Sequence, residues 1–321
     1  MSALRLGTRG SALALAQSGL IADRVRRRTG HDVELVEIVT PGDRSSAPVA
    51  RLGVGVFVSA LRDALGAKEV DFAVHSYKDL PTAPAEELVI AAVPEREDPR
   101  DALVARDGLT LSQLAPGARV GTGALRRIAQ LHALGRQLEV VPIRGNVDTR
   151  LRKLTGGELD AVVLARAGLA RLGRADEVTE ILDPELMLPA PAQGALAVEC
   201  RADAPDLVEA LSTLDDPDTR AAVTAERALL ARLEAGCSAP VAALATVIRA
   251  PVARGGRRAP GAPASTESAE IHLRGAVLST DGRVAIRLSR TGTLTDAATI
   301  GRDLAEDLLG AGAETVLGVH E

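Results

Sequence analysis

The sequence predicts an α/β protein of two similar lobes, each a mainly parallel sheet with helices on both faces, followed by a small α+β domain. Three observations carry this. The stretch "LRLGTRGSALALAQSGLIADRVRRR" reads as strand, Gly-Thr turn and helix, and "ARVGTGALRRIAQLHALG" at 118–135 repeats that order. Each copy continues in the same way: "VELVEIVT", "FVSALRDALGAKEVD" and "FAVHS" after the first, "LEVVPIRG", "NVDTRLRKLTGGELD" and "AVVLARAG" after the second. Beyond Asp218 the alternation stops, and one helix, three strands and a last helix follow.

The joints are equally visible. "PEREDPRDALVAR" at 94–106 leads out of the first unit. "LPAPAQGALAVECR" at 188–201 is a Pro/Gly-rich turn and then an alternating strand suited to rejoining the first sheet. Two crossings make a hinge. The expected division is 1–96 with 196–214 for lobe 1, 100–190 for lobe 2 and 218–321 for the third domain. That domain opens with helix "TRAAVTAERALLARLEAG", whose apolar face is Ala222, Val223, Leu229, Leu230 and Leu233, and which Gly236 is expected to end. Strands "PVAALATVI", "EIHLRGAVL" and "RVAIRLSRTG" and helix "DAATIGRDLAEDLLGAG" complete it. The Pro/Gly/Ala/Arg tract at 249–269 reads as a long mobile loop between strands.

Composition narrows the class. At 321 residues and 46% hydrophobic the chain has material for several cores, but with 1% aromatic residues these must be built from Ala, Val, Leu and Ile. Two cysteines make no disulfide framework and show no metal spacing, which fits a reducing compartment. No signal-like or membrane-length apolar run occurs, so a cytoplasmic protein is expected, off the membrane. A net charge of −5 argues against a nucleic-acid partner. Lys68, Lys78 and Lys153 are the only lysines, which leaves 35 of 38 basic residues as arginine.

Most of those arginines belong on a solvated surface, but one group sits where open α/β sheets bind ligands, at strand ends and helix starts. Arg9 and Ser11 follow the first Gly-Thr turn; Thr122, Arg126 and Arg127 stand at the second. Arg144 lies on a strand-ending turn, and Arg150 about one turn into the next helix. Free helix-start amides and guanidinium forks suit a small ligand with several carboxylates or phosphates. In "DFAVHSYKDLPT" the strand ends in His75, Ser76, Tyr77, Lys78 and Asp79 at the same edge. An acid there can protonate a leaving group or stabilise a cation. His75 reads as a packed strand-end residue with no evident partner, and Cys200 as a small apolar filler. Cys237, on a turn outside any periodic run, has three uses open to it: nucleophile, redox sensor or attachment point.

Taken in order, "LRLGTRGSALALAQ", "DFAVHSYKDLPT", "EREDPRDALV", "VGTGALRR", "IRGNVDTRL", "LPAPAQGALAVECR" and "AERALLARLEAGCSAPV" resemble the porphobilinogen deaminase (hydroxymethylbilane synthase) family from about residue 4 to 245, and more weakly beyond. The resemblance implies lobes like those of periplasmic binding proteins with the active site between them. It implies a transferase of tetrapyrrole and heme biosynthesis that joins four porphobilinogen units head to tail, losing ammonia each time, before water releases linear hydroxymethylbilane. It implies a dipyrromethane cofactor held by a thioether to a loop cysteine, matched by Cys237, and a catalytic aspartate, matched by Asp79. Arg9, Ser11, Gln17, Ser76, Lys78, Thr122, Arg126, Arg127, Arg144, Arg150 and Gln193 match positions around cofactor and substrate. No metal is implied. The family also implies a monomer that hands its product to uroporphyrinogen-III synthase.

Three features depart from the family pattern. The usual Gly-Thr-Ser-Ser turn is Gly-Thr-Gly-Ala here, so Gly123 and Ala124 bring no hydroxyls. The loop that normally reads Gly-Gly-Lys-Gly-Leu-Phe is "RLGVGVF" at 51–57, shorter and without the lysine, with Arg51 as a charge nearby. The tract at 249–269 is an insertion. Two other readings compete: a non-catalytic two-lobed anion-binding or sensor protein, and a cysteine hydrolase. The second needs a histidine beside Cys237, and the nearest in sequence, His272 and His132, stand in no hydrolase motif.

Overall fold

Helix α1 (Ala12–Thr29) shows how the local code works. Ser11 caps it by accepting from the Ala14 amide, and Gly30 ends it in the left-handed conformation. Between the caps, Gln17, Ser18, Ile21, Ala22 and Val25 form the buried stripe. The computed structural model describes residues 3–39, 56–235, 239–249 and 269–318. Gly236, Cys237, the loop residues 51–55 with Arg51, and the tract 250–268 lie outside the described residues.

Chain order runs β1 (Leu4–Thr8), α1, β2 (Val33–Glu37), α2 (Val56–Gly66), β3 (Phe72–Ser76) and β4 (Leu88–Ala92). After the first crossing come β5 (Asp101–Ala105), β6 (Arg119–Thr122), α3 (Leu125–Ala133), β7 (Glu139–Pro142), α4 (Val147–Thr155), β8 (Ala161–Ala165), α5 (Arg166–Arg171) and β9 (Glu180–Ile181). The return crossing leads to β10 (Leu196–Arg201) and α6 (Pro205–Ser212). The third unit is α7 (Pro217–Arg232), β11 (Val241–Arg249), β12 (Ala269–Leu278), β13 (Ala285–Thr293), α8 (Ala297–Leu308) and α9 (Glu314–Leu317).

The repeat seen in the sequence is a repeat of topology. The first sheet is ordered β2-β1-β3-β10-β4 and the second β7-β6-β8-β5-β9, position for position the same. In each, the pairs of β1 with β2 and β3, or of β6 with β7 and β8, are parallel. The fourth strand, β10 or β5, is antiparallel to both neighbours. Four strands of each five therefore point one way, and the odd one enters directly from a crossing between the lobes. The "AVECR" strand does rejoin the first sheet.

Both faces of each sheet are covered, as aliphatic patterning requires. Leu6, Ile21, Val25, Phe72, Val198 and Cys200 fill one face of the first sheet, and Leu61, Leu65, Val70 and Ala73 the other. Phe72, fully buried, is large enough that truncation to alanine costs about 3–5 kcal/mol. The third sheet, β11-β12-β13, is wholly antiparallel and packs Ile271, Leu273 and Val277 on Leu229, Leu304 and Leu308.

Three local expectations are corrected. Helix α7 ends at Arg232, not at Gly236, and Glu234 takes the left-handed conformation (φ 51°) that glycine was expected to supply. His75 does have a partner: its Nε2 lies 3.0 Å from Glu199 Oε2, close enough for an ion pair although out of line for a hydrogen bond. Glu199, buried on β10, also takes a forked contact from Arg62 on α2. Helix α2 itself stops at Gly66, short of the Asp71 that its sequence pattern suggested.

Candidate active site

The parallel strands of both sheets end at the gap between them, and the crossing strands begin there. This is why residues far apart in sequence converge. Tyr77–Asp79 forms a single 3-10 turn at the carboxyl end of β3. Directly across the β3–β10 pairing (Ser76 opposite Leu196) lies the turn that carries Gln193. On the other sheet Asp101 begins β5, opposite Ala165 at the end of β8.

Asp101 and Gln193 are the hubs of a buried network. Arg126 gives Nη1 to Asp101 Oδ2 (2.6 Å) and to the Leu188 carbonyl (3.0 Å), and Nη2 to Asp101 Oδ1 (3.1 Å) and Gln193 Oε1 (3.0 Å). Arg127 donates from Nε and Nη2 to Asp101 Oδ1 at 3.1 and 2.7 Å. It also reaches the Val163 carbonyl and, at 3.4 Å, Gln193 Oε1. Gln193 Nε2 in turn donates to Asp101 Oδ1 (2.8 Å) and the Pro99 carbonyl (2.7 Å). From the first lobe, Lys78 Nζ reaches Gln193 Oε1 at 3.4 Å.

Burial and charge set the protonation states. Burial alone would raise the Asp101 carboxyl, but the charges and hydrogen bonds of Arg126 and Arg127 hold it well below the usual carboxylate range. Lys78 is pushed down to about 8, by burial first and then by the charges of Arg127 and Arg126, with Asp79 opposing. Arg150 falls to about 10 because it is partly desolvated and faces Arg127 and Arg144. Lys78, Arg126, Arg127, Arg144 and Arg150 thus concentrate positive charge at this edge, with Asp101 as the counter-charge to Arg126 and Arg127, which favours an anionic guest.

The remaining predicted residues fall on the same edge. Arg9 and Ser11 stand between β1 and α1, and Gln17 on the buried face of α1 exchanges hydrogen bonds with Ser76 (3.0 and 3.3 Å). Arg144 is exposed after β7, and Arg150 donates Nε to the Gly145 carbonyl at 2.9 Å. Thr122 is fully buried at the end of β6. Asp79 is exposed beside Lys78. Arg126 and Arg127 are buried and both paired by Asp101, which leaves Arg126 Nε as a donor without a protein partner among the described residues. Sequence reasoning missed Asp101. Its signal was available in "EREDPRDALV", as an aspartate opening an otherwise apolar strand.

Comparisons with known proteins bear on this geometry. Residues 4–209 match the family model described as porphobilinogen deaminase, dipyromethane cofactor binding domain, and residues 220–310 match the porphobilinogen deaminase C-terminal domain. The chain belongs to the porphobilinogen deaminase family. The porphobilinogen deaminase of Nocardia farcinica is 58% identical over 98% of this chain and 88% of its own length. Porphobilinogen deaminase 1 of Streptomyces avermitilis is 57% identical over 99% and 98%, and the porphobilinogen deaminase of Mycobacterium tuberculosis 56% over 98% and 98%. Among solved structures, the methionine binding protein MetQ is 14% identical with a TM-score of 0.43, covering 66% of this chain and 89% of that one. A periplasmic substrate-binding protein from Coxiella burnetii has the same identity and TM-score, over 68% and 94%.

Proposed function

We propose that this protein condenses four porphobilinogen molecules head to tail, with loss of ammonia, and releases linear hydroxymethylbilane by hydrolysis. The observation that carries the reading is the convergence of Arg126, Arg127 and Gln193 on Asp101, with Lys78, the neighbour of Asp79 in sequence, bonded to Gln193, in a chain of this family. A porphobilinogen carries an acetate and a propionate, so a growing chain needs many cations, and this gap has them.

The same gap suits a dipyrromethane cofactor, which is itself polyanionic. Two buried donors there, Arg126 Nε and Thr122 Oγ1, lack a protein partner among the described residues, which a carboxylate would satisfy. Cys237 would tether the group as a thioether, and Arg9, Ser11, Gln17, Ser76, Lys78, Thr122, Arg144 and Arg150 would hold its carboxylates and those of the substrate. When bound, the cofactor supplies the free ring carbon to which the first substrate is joined. Asp79 would carry the proton needed by the departing amine and then, ionised, stabilise the cationic pyrrole left behind. Lys78, with a pKa of about 8, pairs substrate carboxylate while protonated. A tether needs no base to release it, which fits a cysteine without a catalytic histidine motif.

The domain division 1–96 with 196–214, 100–190 and 218–321 is supported by the three separate sheets. We read the protein as a cytoplasmic monomer whose product passes to uroporphyrinogen-III synthase. No helix among the described residues is long and apolar enough to cross a membrane. The test is the intact mass of the purified, denatured chain. It should exceed the chain mass by one dipyrromethane and should fall to the bare mass in Cys237→Ser. A bare wild-type chain without turnover would instead favour a non-catalytic anion-binding protein.

A further inference from the structure

The turn that carries Lys78 and Asp79 is held from outside its own lobe. Arg227, in the middle of α7, donates Nη1 to the carbonyls of Tyr77 (3.3 Å) and Leu80 (3.0 Å), and Nη2 to that of Pro81 (2.6 Å). Its guanidinium also lies 4.5 Å from the centre of the Tyr77 ring. One side chain thus closes both ends of the five-residue segment that presents Asp79. Val223, one helical turn earlier on α7, packs with Tyr77, Val93, Ala192 and Ala195, and the Tyr77 amide donates to the Ala195 carbonyl at 3.1 Å.

The helix is anchored firmly enough to serve as a reference. The residue before Arg227 is Glu226, a fully buried carboxylate. It accepts from Arg96 at 2.7 and 3.0 Å, from the Ala192 amide at 2.5 Å and from the Ala245 amide at 2.8 Å. These contacts tie α7 to both crossings and to the third sheet, so Arg227 projects from a fixed point.

We propose that Arg227 is a positioning residue for the reaction: it fixes the Tyr77–Pro81 turn and so sets where the Asp79 carboxylate meets the substrate. This rests on the reading of Asp79 as the acid. A lysine cannot replace it fully, because a single ammonium does not fork across three carbonyls while lying over a ring.

The experiment uses the cofactor-loaded enzyme and the variants Arg227→Met, Arg227→Lys, Asp79→Asn and Arg227→Met with Asp79→Asn. Loading is read from intact mass and folding from thermal unfolding. Tyr77 is the chain's only tyrosine and there is no tryptophan, so intrinsic fluorescence reports this turn alone. Arg227→Met should lower kcat by about 100-fold, the scale of a small misplacement at a reacting centre, with KM little changed and tyrosine emission altered. Arg227→Lys should recover part of kcat. In the Asp79→Asn background, Arg227→Met should add little, since both act through one carboxylate. Wild-type kcat in Arg227→Met, or losses that multiply in the double variant, would overturn the proposal while leaving Asp79 as the acid. Wild-type turnover in Asp79→Asn alone would overturn the Asp79 reading, and this inference with it. If Arg227→Met does not fold, Arg227→Lys with the same double substitution decides by the same criterion.

Discussion

Gln193 and Asp101 meet at 2.8 Å, Nε2 to Oδ1, and each stands at the head of the strand that one lobe sends into the other's reach. Gln193 precedes β10 of the first sheet, and Asp101 opens β5 of the second. The two crossings are stitched together around this contact. Arg96 Nε donates to the Gln193 carbonyl at 2.8 Å, the Glu97 amide to the Gly194 carbonyl at 3.3 Å, and Arg171 to that same carbonyl at 2.5 Å. Gly194 is required there, because it takes φ 89° and a Cβ would fall on the Glu97 carbonyl. The two chain crossings and the candidate site therefore share residues.

Asp101→Asn should unfold the protein far more readily than a surface change. It removes the charge that balances two buried guanidiniums, and breaking a buried pair in this way costs about 3–5 kcal/mol. Denaturant unfolding checks it, and a loss below about 1 kcal/mol, the range of surface pairs, would mean that water already screens the pair.

Lys78 gives a pH signature. Its pKa falls from 10.5 to about 8 on folding, so the unfolded chain holds the extra proton between those values. Stability should rise with pH across that window, the Lys78 penalty being full below pH 8 and gone above 10.5. In the same sense, kcat/KM for porphobilinogen should fall as pH rises through about 8, because the neutral amine no longer pairs carboxylate. Lys78→Arg should remove that limb of the profile; a profile unchanged by the substitution would assign the ionisation elsewhere.

Replacing Asp79 by alanine should nearly abolish ammonia release and leave the unfolding transition where it was. The residue is exposed and outside the buried network, so the fold does not depend on it. Ammonia assay and calorimetry on the same sample separate the two effects.

The two cysteines should differ in reactivity. Cys200 is fully buried in the first core, and burial pushes its thiol up to about 11. With Cys237 carrying the cofactor, an alkylating reagent should modify no thiol in the native enzyme and one after denaturation. Two alkylations after denaturation would show Cys237 unloaded.

Gly123→Ser, which restores the family's usual residue, should destabilise this chain by about 1–3 kcal/mol. A Cβ there would stand 2.7 Å from the Ile143 carbonyl, with the Arg150 guanidinium 3.5 Å away, so the backbone must move. Thermal unfolding of the variant tests it, and an unchanged transition would show that the turn relaxes freely. The Gly-Thr-Gly-Ala turn is thus fitted to its own surroundings.

Much was legible in the chain itself. The doubled strand-turn-helix pattern pointed to two similar α/β lobes, because periodicity is a local property that each segment carries alone. The motif order from "LRLGTRG" to "LEAGCSAPV" fixed the family, and strand-end positions picked out Lys78, Asp79 and the arginines. What periodicity could not show was pairing. Asp101 and Gln193 begin antiparallel strands, where a rule that looks at strand ends does not look. Gly236 seemed the natural helix stop, yet Glu234 takes the left-handed position at modest steric cost.

The sequence alone determined the two-lobed α/β plan, the family and the list of residues at the strand ends. Only the tertiary structure decided that Arg126 and Arg127 spend their forks on Asp101, that Gln193 joins Lys78 to the second lobe, and that Arg227 clamps the turn bearing Asp79. The physical reason is that partner choice for a buried charge depends on which opposite charge the fold brings within hydrogen-bond reach. Here that is settled by two chain crossings that lie about a hundred residues apart in sequence and side by side in space.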